Sequence, residues 1–228
     1  RASVAALETL APGPLGFRGT LDLKADLEGD PRRPENARGR FRLTANQLTL
    51  PGDLNRLGAG TLTAAGTLHG AIAVLDEAVG RWAGGRVRVS GRLDAGGPAG
   101  LRFAADADLG VVAPLWNLRD FAGHAAVTGE VNGRWAEPEL TGQARAAPVT
   151  VAGVALDRLH VPFRFRGTTL TVESATADLG RSRANVSGTL VWDDAGPAAA
   201  AGGMRFRADP ITVTAQWEDL RRWLPAVA

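Results

Sequence analysis

Apolar and polar residues alternate along this chain in segment after segment. From Phe17 to Leu27 the odd positions are Phe17, Gly19, Leu21, Leu23, Ala25 and Leu27, and the even ones are Arg18, Thr20, Asp22, Lys24 and Asp26. A period of two belongs to a strand with one apolar face. The pattern returns at Phe41 and Leu43, at Val87, Val89 and Leu93, and at Leu101, Phe103, Ala105 and Leu109. It continues at Val161, Phe163 and Phe165, at Ala184, Val186, Leu190 and Trp192, at Met204 and Phe206, and at Ile211, Val213 and Ala215.

Clusters of Gly, Pro and Asp punctuate these runs at 29–34, 51–53, 96–98, 137–138 and 193–197. They mark turns, and connections this short favour antiparallel neighbours, because a parallel crossover needs a dozen or more residues. The segments 74–93 and 171–190 align without gaps, pairing Leu75 with Val172, Arg86 with Arg183, Ser90 with Ser187 and Gly91 with Gly188. Looser copies lie at 60–68 and 123–131, and each copy carries a mid-strand glycine, Gly66 or Gly129. Such repetition predicts an array of hairpins, with a repeat over 58–95 and 155–192 inside a single β-rich segment spanning 1–228. Helical spacing is confined to short stretches. Trp217, Leu220, Trp223 and Leu224 share one face of a helix predicted near 214–224, residues 111–121 suit a turn or two broken by Pro114, and residues 3–10 suit a short capped helix. Residues 71–82 would also fit a helix, but the repeat aligns them with strand-like 168–179, so a strand is expected there.

Composition narrows the function. The pI of about 10.2 suggests a basic protein, yet the formal net charge is only +2. Lys24 is the sole lysine and there is no Tyr or Cys, so little titrates between neutrality and pH 10 and the pI exaggerates basicity. The arginines alternate with apolar residues instead of clustering, which argues against nucleic-acid binding. Without Cys there are no disulfides, thiolate metal sites or Cys nucleophiles. No apolar run approaches the roughly 20 residues of a membrane-crossing helix. The sequence reads as a piece of a longer chain, with any export signal outside it.

Catalytic patterns are missing. His69, His124 and His160 stand in separate segments, and none forms a ligand pair, so no metal or other cofactor is expected. There is no G-x-S-x-G, phosphate-loop or dinucleotide fingerprint. The paired acids Asp76–Glu77, Glu137–Glu139, Asp193–Asp194 and Glu218–Asp219 sit mostly where turns are expected, so a non-enzyme is the reading. Tryptophans are taken as packing residues, with Trp82 and Trp192 on inward strand positions.

The one-sided apolar sheet has two outcomes. Two sheets could bury each other in a sandwich, or a single curled sheet could leave an apolar trough able to shield lipid tails, at about 0.8 kcal/mol per buried CH2. The repeat favours the trough. The stretches G-R-F-R-L-T-A-N-Q-L-T-L-P-G (39–52), G-G-R-V-R-V-S-G-R-L-D (84–94), D-L-G-V-V-A-P-L-W-N-L (108–118) and the run from V-T-V-A-G-V-A-L-D-R-L to N-V-S-G-T-L-V-W (149–192) resemble the TamB and AsmA-like proteins of bacterial envelopes. The likeness covers most of the chain and consists of alternation and glycine placement. It implies an all-β fold, an elongated, curled antiparallel sheet (a β-taco with a U-shaped groove) of repeated hairpins with one or two short helices.

The resemblance further implies a periplasmic part of an inner-membrane-anchored protein that carries phospholipid toward the outer membrane, with an outer-membrane barrel protein as partner through regions outside this segment. The groove positions are those of the alternating apolar face: Phe17, Leu21, Leu23, Phe41, Leu43, Val87, Val89, Leu93, Leu101, Phe103, Val127, Val131, Phe163, Phe165, Leu170, Val172, Val186, Leu190, Trp192, Phe206, Ile211 and Val213. The competing reading is a scaffold or assembly module for barrel proteins, acting through sheet edges by β-augmentation. A transmembrane barrel shares the alternation, but there is no Tyr, and Trp and Phe do not bracket successive strands as aromatic girdles would. A sugar-binding sandwich or enzyme would need a polar cleft that the pattern does not reveal.

Overall fold

The computed structural model describes residues 2–3, 18–29, 36–50, 52–94, 97–116, 118–134, 137–192, 204–208 and 212–214. The strands are β1 (Ala2–Ser3), β2 (Arg18–Glu28), β3 (Arg38–Thr49), β4 (Gly60–His69), β5 (Ile72–Trp82), β6 (Gly85–Asp94), β7 (Pro98–Asp108) and β8 (Ala122–Arg134). They continue with β9 (Glu137–Val151), β10 (Val154–Leu156), β11 (Arg158–Arg166), β12 (Thr169–Leu179), β13 (Ser182–Trp192), β14 (Met204–Ala208) and β15 (Thr212–Thr214). The chain is an all-β protein built as an open, curled antiparallel sheet. It divides into two compact units, residues 1–105 with 130–138, and residues 106–129 with 139–228.

In the first unit the strands lie side by side in chain order, each antiparallel to the next. Because side chains alternate, the registers sort residues into rows across the sheet. One row runs Leu21, Ala45, Leu62, Gly80, Val87; the next runs Leu23, Leu43, Ala64, Ala78, Val89; another runs Leu27, Gly39, Leu68, Ala73, Leu93. No charged residue enters any of them. The intervening rows carry the charge, for example Asp26, Arg40, Thr67, Val74, Arg92, and Glu28, Arg38, His69, Ile72, Asp94.

The second unit is organised alike. Rows Ala146, Leu159, Ala177, Ala184 and Leu140, Phe165, Leu170, Leu190 form one face. Rows Arg145, His160, Thr176, Asn185 and Thr141, Arg164, Thr171, Thr189 form the other. β10 folds back on the end of β9, and β14 and β15 both pair with β13.

The β5–β6 and β12–β13 hairpins match residue for residue, since Ile72, Trp82 and Gly85 take the places of Thr169, Leu179 and Ser182. Both contain a bulge at the same point. The register shifts between Leu75 and Ala78 in one and between Val172 and Ala175 in the other, leaving the exposed Asp76–Glu77 and Glu173–Ser174 as the extra-residue sites. A bulge bends its strand and strengthens the local twist, which curls a sheet. The turns entering these hairpins also agree: Gly70 (φ +61) and Gly167 (φ +60) each open a two-residue loop in the left-handed region that favours glycine.

Residues 72–82 are strand and not helix. The helical turn expected over 111–121 begins earlier, as α1 (Leu109–Val112), followed by a 3-10 turn (Ala113–Trp116). Asp108 moves the start forward by capping it, its carboxylate accepting from the Gly110 N–H at 2.9 Å. Ser3 is in a strand, paired with Thr20, where a capped helix was expected. The rest of that expected helix lies outside the described residues, as do residues 215–224 of the expected C-terminal helix.

Candidate functional site: the apolar sheet face

The apolar face is unevenly covered. In the first unit one end is sealed: Leu21 (4% exposed), Ala45 (1%) and Leu48 (4%) form a buried cluster, with Leu43, Leu62 and Trp82 packed against it. Trp82 is the bar across this end. Its Nε1 donates to the Leu48 carbonyl at 3.1 Å, reaching from β5 over β4 to β3. The ring can lie flat there because Gly60 and Gly80 are beneath it, and a Cβ at either position would collide with the indole. Further along β2 from Leu21, Leu23 (50%) and Leu27 (48%) are open.

The second unit repeats this gradient with different side chains. Ala146, Val149, Leu156 and Leu179 form its buried cluster, to which Leu109, Val154 and Leu159 add, so β10 and α1 do the covering. The far row of Phe165, Leu170 and Leu190 is only half-buried. Leu179 occupies the position in its hairpin that Trp82 occupies in the other.

Large and small residues alternate across the rows. Phe41 faces Gly66, and in the second unit Gly142 faces Phe163. A Cβ on Gly66 would stand 3.1 Å from the Phe41 ring, and one on Gly142 would stand 2.9 Å from that of Phe163. The Phe–Gly pair thus occurs in both units with its members on opposite strands. One ring fits over each such site and two do not, as on the crowded inner side of a curled sheet.

Of the residues read as groove positions, Leu21, Leu23, Phe41, Leu43, Val87, Val89 and Leu93 fall on the first unit's apolar rows. Leu101 and Phe103 lie on β7, and Val127 and Val131 are half-buried on β8, where exposed and half-buried residues alternate without a break. Phe163 pairs with Val172, Phe165 with Leu170, Leu190 with Phe206, and Val186 with Ala175. Val213 is in register with Ala184 and Trp192 with Met204, whereas Phe17 and Ile211 lie outside the described residues.

Pattern reading passed over Ala45, Leu48, Ala78, Ala146, Val149, Leu156 and Leu179, all buried. Alanines carry little weight in an apolar count. Leu48 was hidden by a slip of phase: Gln47 adopts φ +53, the register shifts between Asn46 and Leu48, and Leu48 joins Ala45 on one face three residues away. The sequence marks this slip only by the polar pair Asn46–Gln47.

The opposite face carries surface ion pairs, Arg102–Glu130 (3.3 Å), Arg164–Glu139 (3.6 Å) and Arg183–Asp178 (2.7 Å). Exposed pairs of this kind are screened by water and contribute little to stability. The Arg183 hydrogen bond to Asp178 holds that carboxyl below its ordinary value of 3.8. The folded state therefore favours the ionised form, and the resulting stability is present above that value and lost as pH falls through the lower folded value. Asp178→Asn should lower stability slightly at pH 7, and the difference from wild type should vanish below the carboxylate range when melts are compared across pH.

Among the described residues no three His, Asp or Glu side chains group as metal ligands, and no helix is long and apolar enough to cross a membrane. Comparison of the chain with protein-family models, curated proteins and solved structures returns no match in any of the three.

Proposed function

We propose that the apolar face holds the acyl chains of phospholipid, and that the chain is a lipid-conducting stretch of a periplasmic bridge protein anchored in the inner membrane and serving outer-membrane biogenesis. The observation that supports this is the half-exposed apolar face itself: beside the buried Leu21, Ala45 and Leu48, most positions of the apolar rows are only half-buried, and Leu23 and Leu27 of β2 are exposed. A contiguous apolar surface left open to water marks a place for an apolar partner. Covering a half-exposed leucine recovers about 1 kcal/mol, so several such residues hold an acyl chain loosely enough to pass it on. Any contact with an outer-membrane barrel protein would be made by regions beyond this segment.

The test is native mass spectrometry with lipid extraction on the purified chain. Wild type should retain phospholipid. Val89→Asp and Phe165→Asp, one in each unit, should fold and lose at least about tenfold of it, because each sets a carboxylate where acyl carbons would lie. A lipid-free wild type, or variants loaded like wild type, would overturn the reading.

A further inference from the structure

The charged face of the second unit holds a depression of about 630 Å3. Ala126 of β8 and Ala147 of β9, both exposed, make its floor, and longer side chains from the neighbouring strands make its walls. The strand registers assemble those walls. Arg145 faces His160 across β9 and β11, and Arg158 faces Asp178 across β11 and β12. His124 and Asp106 complete the lining on the side of β8.

The depression gathers Arg145, Arg158 and Arg183, with His124 and His160, against the carboxylates of Asp106 and Asp178. Asp178 is hydrogen-bonded by Arg183 and also feels the charge of Arg158 across the strand pair, while neither Arg145 nor Arg158 makes a salt bridge among the described residues. Gln143 fixes two of the wall groups in place. Its Oε1 accepts from Arg145 at 3.0 Å and lies 3.0 Å from His160 Nε2. A guanidinium so held, with no further hydrogen bond among the described residues, is prepared for a tetrahedral oxyanion.

We propose that this depression binds a small phosphate-class anion, either inorganic phosphate or the phosphate of a lipid headgroup, with Arg145 and Arg158 as its principal donors. The site is on the face opposite the apolar rows and does not rest on the function proposed above. The probe is inorganic phosphate, titrated into the full chain while the arginine Nε–Hε and histidine ring resonances are followed by NMR. Saturable shifts at Arg145, Arg158, His124 and His160 are expected. Arg145→Gln and Arg158→Gln should each weaken binding about tenfold, the scale of one charge-assisted contact. Asp106→Asn, which removes a repelling carboxylate, should tighten it several-fold, and Arg102→Gln should leave it unchanged.

Co-sedimentation with phosphatidylcholine vesicles, with and without phosphatidylglycerol, separates the sources. Binding of phosphatidylglycerol vesicles that depends on Arg145 and Arg158 identifies a headgroup, and phosphate binding without vesicle binding identifies the free anion. Shifts that never saturate, or that fall equally in Arg102→Gln, would show general charge screening and overturn the site.

Discussion

Leu21→Asp should destabilise the first unit by more than about 4 kcal/mol, whereas Leu27→Asp, on the same face of the same strand, should stay within about 0.5 kcal/mol of wild type. Both leucines alternate with polar or charged neighbours and look equivalent in the sequence. They differ in cover: Leu21 is 4% exposed beside Ala45 and Leu48, and Leu27 is 48% exposed. A carboxylate at 21 must lose its hydration or open the cluster, and one at 27 stays wet. Urea denaturation followed by circular dichroism would read the two costs. Similar losses at both positions would mean that the apolar face is covered along its whole width.

Removal of the Trp82 ring is the second large effect. Trp82→Ala should cost about 3 kcal/mol, the lower end for a large aromatic because the residue is half-buried and not fully enclosed. Two glycines beneath it have no side chains with which to fill the gap, so Gly60 and Gly80 would be left under solvent. Trp82→Phe keeps a ring over those glycines but loses the hydrogen bond to the Leu48 carbonyl, a loss of about 1 kcal/mol. Chemical denaturation of the two variants separates the packing contribution from the polar one. Equal effects would place the stabilisation in the hydrogen bond alone.

The contrast between Leu21 and Leu27 also defines what a sequence of this kind discloses. Strand identity is legible because a period of two survives most substitutions, and β8 shows it without a break from Ala122 to Arg134. The antiparallel order follows from connections as short as Gly70–Ala71. Which part of the face is sealed depends on the indole of Trp82, two glycines and the fold-back of β10, and none of these changes the alternation. Leu48 was masked by the single left-handed residue before it. The charged-face depression draws Asp106, His124, Arg145 and Arg158 from separate strands, so only the registers bring them together. The tryptophan at 82, read in sequence as an inward packing residue, takes on its role as a bar only once Gly60 is seen beneath it.

The matched bulges at Asp76–Glu77 and Glu173–Ser174 have a consequence for how such a chain can change in length. A strand with two faces has a reading frame of two, and loss or gain of one residue in mid-strand would turn every later side chain inside out. The bulge is where that frame already tolerates an odd residue. Length variation confined to these two points, or to whole hairpins, leaves the frame intact, so the sheet can be lengthened while its greasy side stays greasy.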